Sequence, residues 1–277
     1  MLNRSILLSN IIQIYSLTIK DLKLKSRYKL EFIVEFVAPL MTIFFPYITF
    51  NTLFNLEENI FKNYYSRDNF LLFLLLGYCT SVLIFLLWYY QDLFYDEKTW
   101  KTLYAVIVAP VNKFNILISY FIAGLISRSF PIIFIILLCY FLYPIPLISL
   151  FFVVIIISCI SLTFASMGFI LGVFEIVNED ISASLSVGIG FIALVSCLFY
   201  PIEIFPNEIH FIIKLNPLYY YFDLLRLIWW AGIDYPDAIK YLTFTHFLVV
   251  IIFTLIMPFI ASYLFLLIYK KYGISGY

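Results

Sequence analysis

Charge is scarce in this chain. Asp, Glu, Lys and Arg make up 12% of 277 residues, where soluble domains carry about 25%. Hydrophobic residues make up 64%, and the mean hydropathy is +1.01. A soluble globular protein is excluded, although the length alone would suit one or two such domains. The formal net charge is zero, so there is no basic footprint for nucleic acid. Histidine occurs only as His210 and His246. The four cysteines, Cys79, Cys139, Cys159 and Cys197, all sit inside apolar runs without metal-ligand spacing. They read as small core residues rather than disulfides. No G-x-x-x-x-G-K-[ST] phosphate loop occurs, so ATP hydrolysis by that route is excluded and no cofactor is expected in this chain. The start, MLNRSILLSNIIQIYSLTIKDLKLK, lacks a compact apolar core followed by small residues, so it does not read as a signal peptide. No catalytic constellation is visible.

Long apolar runs are what the chain has instead. They lack the in/out alternation of barrel strands, so the fold class is an all-α membrane bundle. At roughly 20 residues per crossing, six spans qualify, near 32–54, 69–90, 115–142, 147–174, 182–200 and 241–269. Arg4, Lys20, Lys23, Lys25, Arg27, Lys29, Lys98, Lys101, Lys113, Lys270 and Lys271 then fall on one side, most of the 17 basic residues. The positive-inside rule makes that side, with both termini, cytoplasmic. The expected loops on the other side are 55–68, 143–146 and 201–240.

Residues 1–277 are expected to form a single transmembrane domain, with a cytoplasmic or interfacial segment at 1–31 leading into the six-span bundle at 32–277. Within Ile11–Leu30, apolar Ile11, Ile12, Tyr15, Ile19, Leu22 and Leu24 mix with Lys20, Lys23, Lys25 and Arg27. This reads as an interfacial amphipathic helix lying on membrane lipids; a solvated topology signal is the alternative.

The segment Leu198–Arg226, LFYPIEIFPNEIHFIIKLNPLYYYFDLLR, is broken and rebuilt. Pro201 and Pro206 forbid a continuous helix. Asn216-Pro217 restarts one, with Pro217 suited to the first helical position. Asp223 and Arg226, three apart, share a face. No piece is long enough to span. Spacing alone leaves open whether the pieces dip into the membrane or lie on its surface.

The segment resembles the signature of the type-2 ABC exporter permeases: a P-x-x-x-x-P break, then an N-P-aromatic stretch ending in D-x-x-R before the last of six spans. Pro201, Pro206, Asn216, Pro217, Asp223 and Arg226 match it. The resemblance implies two short extracellular re-entrant helices that form an outer gate between spans five and six.

DEKTWKTLYAVIVAPVNKFN is similar to the family's stretch E-R-E-x-G-T-L-E-x-L-L-x-x-P after the second span. Glu97, Thr102, Leu103, Val106, Ile107 and Pro110 match; Lys101 replaces the usual Gly and Tyr104 the usual Glu. The resemblance implies a coupling helix that docks on an ATPase subunit.

Arg128 lies deep in the third span, where a central Arg costs roughly 2.5–3.5 kcal/mol on insertion scales. It should face the bundle or a wet path, with Glu31, Glu35 or Glu175 as candidate partners in an intramembrane pair. A role in attracting an anionic headgroup is the alternative. Aromatics make up 21% of the chain. Trp88-Tyr89-Tyr90 and Trp229-Trp230 fit interfacial belts; Tyr219-Tyr220-Tyr221 would fit either a belt or a sugar path. Gly168 and Gly172 share a helix face and suit close helix contact, within the bundle or between chains.

The resemblance therefore implies the permease subunit of an ATP-driven exporter in the cell membrane. A second permease chain, giving a homodimer, and two copies of a separate ABC ATPase subunit are the expected partners; ATP is used by the latter. A hydrophobic or amphipathic small molecule is the expected cargo. Lipid-linked polysaccharide or lipid is the alternative, and a non-transport membrane enzyme a further one.

Overall fold

The computed structural model describes residues 2–27, 29–56, 67–101, 112–233 and 238–272. Among them every element is helical. The helices are α1 (Leu2–Arg27), α2 (Lys29–Leu56), α3 (Arg67–Thr99), α4 (Lys113–Leu142), α5 (Leu147–Val177), α6 (Glu179–Val195), α7 (Asn207–Leu215), α8 (Pro217–Gly232), α9 (Ala238–Tyr241) and α10 (Phe244–Tyr272), with a 3₁₀ turn at Ile202–Ile204.

Among the described residues, four helices are long and apolar enough to cross a membrane: Phe70–Asp96, Phe114–Leu142, Leu147–Glu175 and Phe244–Ile268. They match the second, third, fourth and sixth expected spans. The first expected span falls on α2. The fifth falls on α6, whose apolar core is only Ala183–Ala193. Seventeen residues of α6 rise about 25 Å, less than the ~30 Å hydrocarbon thickness.

Local chemistry sets the ends. Asn112 caps α4 by accepting from the Phe114 amide at 3.1 Å. YPIP between α4 and α5 allows no helix through it, and α5 starts directly after Pro146. Residues 175–180, between the fourth and fifth expected spans, are helical but for Asn178. Asn178 ends α5 and starts α6, its Oδ1 accepting from the amides of Asp180 and Ile181. Glu179 and Asp180 then sit in the first turn of α6, where the helix dipole favours negative charge.

The bundle is built around α3. Of its span, 89% is buried in protein, against 17% for that of α10. Lipid tails are as apolar as leucine, so close packing holds such helices together rather than the hydrophobic effect. The tightest seam is α5 on α3. A Cβ on Gly168 would lie 2.5 Å from the Leu87 carbonyl oxygen, and one on Gly172 would strike Phe94. The glycine pair therefore serves contact within this chain. Tyr90, Phe94, Tyr120 and Phe169 fill the same end of the bundle with edge-on and tilted rings, so Tyr90 is core rather than belt.

α1 lies against the first turns of α4. Asn115 Nδ2 donates to Asn10 Oδ1 (2.9 Å) and Gln13 Oε1 (2.8 Å), and Thr18 Oγ1 donates to the Ser119 carbonyl (3.3 Å). The uncharged polar face thus points into the protein. Leu8, Ile11, Ile12 and Tyr15, spaced on one helical face, are exposed, as an interfacial helix needs.

Candidate functional site at the broken segment

The break after α6 begins at Cys197, whose φ of 60° is left-handed. Pro201 starts the 3₁₀ turn, Pro206 precedes α7, and Asn216 ends α7 and caps α8. Asn216 does two jobs. Its Oδ1 accepts from the Leu218 amide (3.0 Å), while its Nδ2 donates to the Ile192 carbonyl (2.9 Å) and Ser196 Oγ (2.6 Å). One side chain therefore starts α8 and ties it to the last turn of α6. Pro217 occupies the first turn of α8, where its missing N–H costs nothing.

α8 is an interior helix. Ten of its side chains are buried, Trp229 and Trp230 among them. The Tyr221 hydroxyl donates to the Val250 carbonyl (3.0 Å) and contacts Thr163 Oγ1 (2.9 Å) and Thr254 Oγ1 (2.5 Å). Gly232, at the other end of α8, packs against Ile145 and Ser149. Its first turns therefore lie beside the middle of α5 and its last turn beside the start of α5. The two helices run antiparallel. Trp229 Nε1 donates to the Tyr143 carbonyl at 3.2 Å, so Trp229-Trp230 are packed core rather than a belt.

Arg226 is 3% exposed. Its guanidinium lies 3.6 Å from the Phe73 ring centroid and donates to the carbonyls of Cys197 (2.8 Å) and Leu198. Those carbonyls belong to the broken end of α6, so the cation satisfies acceptors that the break removed from the helical pattern. Asp223, expected to share a face with Arg226, receives other donors. Its Oδ2 accepts from His246 Nε2 at 3.0 Å and from the Tyr219 hydroxyl at 3.4 Å.

Pro201, Asp223 and Arg226 line one cavity of about 450 Å³, together with Glu203, His210, Lys214, Tyr219, Tyr220, Tyr241, Thr243 and His246. Glu203 keeps an exposed flank. Packing around its carboxyl still raises its pKa above the ordinary value; Asp223 adds to the rise, while His210 and Arg226 oppose it. His210 Nε2 donates to the Phe205 carbonyl at 2.9 Å. The wall is thus dense in donors and acceptors that a polar headgroup can use. Among the described residues, no three metal-ligating side chains gather as a metal site requires.

Glu203, His210 and His246 had no sequence signal beyond their polarity. His246 stands alone in the sequence, and only the fold brings α10 to Asp223.

Arg128 lies elsewhere, on α4 facing α3. It is buried, donates to the Phe85 carbonyl (3.1 Å) and Ser127 Oγ (3.3 Å), and stands 5.2 Å from the Tyr89 ring centroid. Glu175, one of its expected partners, accepts from Gln91 Nε2 at 3.2 Å. The side chains of Glu31 and Glu35 lie outside the described residues.

Glu97 falls in the last turn of α3; Thr102, Leu103, Val106, Ile107 and Pro110 lie outside the described residues. At the threshold, Lys101 has a φ of 58°, a left-handed conformation. Glycine is the residue that adopts it without a steric penalty. The usual Gly at this point of the pattern thus has a backbone reason, and Lys101 carries strain in its place.

The order of the helices and the proline-broken segment before the last of them leave one comparison to decide the family. The sequence matches the ABC-2 type transporter family over residues 12–230. The chain belongs to that family. The match runs from α1 to the end of α8, so it includes the break, Asn216-Pro217 and the Asp223–Arg226 face. No curated protein matches the chain significantly. Membership makes this a multi-pass membrane protein and the permease component of an ABC transporter, a transport subunit rather than a catalytic one. ABC-2 permeases work with ABC ATPase subunits.

Proposed function

We propose that the chain exports a hydrophobic or amphipathic small molecule, driven by ATP hydrolysis on a separate subunit. In this reading α2 and α6, the latter together with the broken segment that follows it, complete six crossings, both termini are cytoplasmic, and the chain forms a homodimer above two ATPase copies. Glu97–Pro110 is the ATPase-docking segment. The segment Pro201–Arg226 is a re-entrant outer gate. The observation that carries the reading is the course of α8. It begins beside Thr163 in the middle of α5, ends beside Ser149, and walls a polar cavity on the way. A helix that starts at mid-span depth after a proline break closes a path from one side. Irregular backbone is tolerated at that depth only where protein or a wet cavity covers it.

Transport should appear as ATP-dependent accumulation of an amphipathic fluorescent dye in inside-out vesicles that contain the permease and its ATPase. The double variant Leu103→Asp/Ile107→Asp should reach the membrane but lose both transport and ATPase co-purification, since a docking face does not tolerate buried unpaired charge. Unchanged transport by that variant would overturn the coupling assignment. Strong labelling of Lys101→Cys from outside intact cells, with the native cysteines replaced, would overturn the orientation.

Export of a lipid-linked polysaccharide or lipid is the second reading. The observation favouring it is the cavity wall, where hydroxyls of Thr243, Thr245 and Tyr219 stand with the Glu203 and Asp223 carboxylates. Such a wall suits a hydroxylated headgroup. Competition of dye transport by a polyprenyl-linked sugar, and not by its bare lipid, would favour this alternative.

A further inference from the structure

His246 sits at the first turn of α10 and is buried. Its two ring nitrogens are held from different elements. Nε2 faces Asp223 Oδ2 of α8 at 3.0 Å, and Nδ1 faces Thr243 Oγ1 at 2.7 Å. Thr243 Oγ1 is in turn 2.6 Å from Thr245 Oγ1. Hydroxyls both donate and accept. With a neutral ring, Nε2–H donates to Asp223 and Nδ1 accepts from Thr243. With a protonated ring, Nδ1–H donates to Thr243, whose hydroxyl turns to Thr245. No hydrogen bond is lost either way, so protonation strengthens the contact to Asp223 without breaking any other.

We propose that the Asp223–His246 contact is a proton-operated latch, which adds to the Tyr221–Val250 tie between α8 and α10 and holds the cavity shut when the imidazole is charged. The inference rests on reading α7 and α8 as the outer gate. Protonation turns a hydrogen bond to a carboxylate into a full ion pair, and a partly buried pair is attracted several times more strongly than one in water. The carboxylates of Asp223 and Glu203 are offset in formal charge by Arg226 of α8 and Lys214 of α7. Arg226 is turned onto Phe73 and two carbonyls. The Tyr220 ring stands edge-on to His246 at 5.3 Å. Tyr219 donates to the same Asp223 oxygen, and His210 is held by the Phe205 carbonyl. Tyr241 and Cys197 complete the titratable wall. Acid, which charges the imidazole, should tighten the latch, and mild alkali should loosen it.

The test uses the full chain in lipid nanodiscs with spin labels at Phe211→Cys on α7 and Phe244→Cys on α10, both exposed positions, and the native cysteines replaced. At about pH 5.5 one narrow distance should dominate; at about pH 8.5 a longer one should appear, with the open-to-closed ratio changing about fivefold, the low end for coupled sites. His246→Gln and Asp223→Asn should remove the pH response, and His210→Gln should keep it. Should the first two fail to fold, Thr243→Val keeps both latch partners and removes the hydroxyl that accepts from the imidazolium. Its midpoint should move to lower pH. A pH-independent wild-type distance, an unaltered response in His246→Gln, or an unshifted midpoint in Thr243→Val would each overturn the latch. A pH-dependent distance with pH-independent export would leave the latch standing and overturn the gate reading instead.

Discussion

Removing the Arg226 guanidinium should destabilise the junction of α6 and α8 more than any exposed cation does. The side chain is 3% exposed and donates to two carbonyls at the broken end of α6. Hydrogen bonds from a charged donor contribute about 1.5–3 kcal/mol each in soluble proteins, but hydrogen bonds within membranes average nearer 0.6. A desolvated cation over an aromatic face adds about 2, and Arg226 is 3.6 Å from the Phe73 centroid. The low end of these terms is about 3 kcal/mol and the high end about 8; the two carbonyls left without a donor are worth about 1–3 kcal/mol each. We therefore expect Arg226→Ala to cost about 2–6 kcal/mol. Arg226→Lys keeps the charge above Phe73 but cannot reach both carbonyls with a planar group, so it should recover about half. Lys214→Ala, on the exposed side of α7, should cost about 0–0.5 kcal/mol. Thermal unfolding of purified variants in nanodiscs reads these differences, and dye export at matched membrane levels reads the functional loss. If Arg226→Ala unfolds like Lys214→Ala, the carbonyl-capping role is wrong.

Gly168→Leu should loosen the seam between α5 and α3 by about 1–3 kcal/mol, because its Cβ would meet Leu87 backbone atoms at 2.5 and 2.7 Å. Gly188→Leu has open space and should unfold like the wild type; equal unfolding of the two would refute the seam. Lys101→Gly should raise the unfolding temperature modestly, by relieving about 0.5–1 kcal/mol of left-handed strain; a fall would mean that the side chain matters more than the backbone. Glu203 has a raised folded pKa, so the native state holds its proton to higher pH than the unfolded chain does. Its ionisation therefore lowers stability as pH rises from the ordinary carboxylate range through the raised value. Glu203→Gln should be more stable than wild type at pH 7, with the gap closing on acidification. Parallel unfolding curves against pH would refute that sign.

The sequence alone determined the solvent of this protein. With 12% charge and apolar runs of span length, only a helical membrane bundle satisfies the backbone, and prolines and asparagines mark the ends of helices whatever packs on them. Pro206 and Asn216-Pro217 break the chain where the structure breaks it, because proline acts on its own residue and its immediate neighbour, whereas α6 ends at Val195 and turns at Cys197, ahead of Pro201. Gly168 and Gly172 announced a close contact, yet composition held no sign that the partner was α3 of the same chain. Asp223 and Arg226 were legible as a shared face, but a shared face does not name partners. The fold sends Arg226 back to the carbonyls of Cys197 and Leu198 and gives Asp223 to His246, 23 residues on. Those pairings depend on α8 running antiparallel to α5 and on α10 closing beside it. They are long-range consequences of packing, and a polar residue in a span carries no local signal of which distant helix will satisfy it.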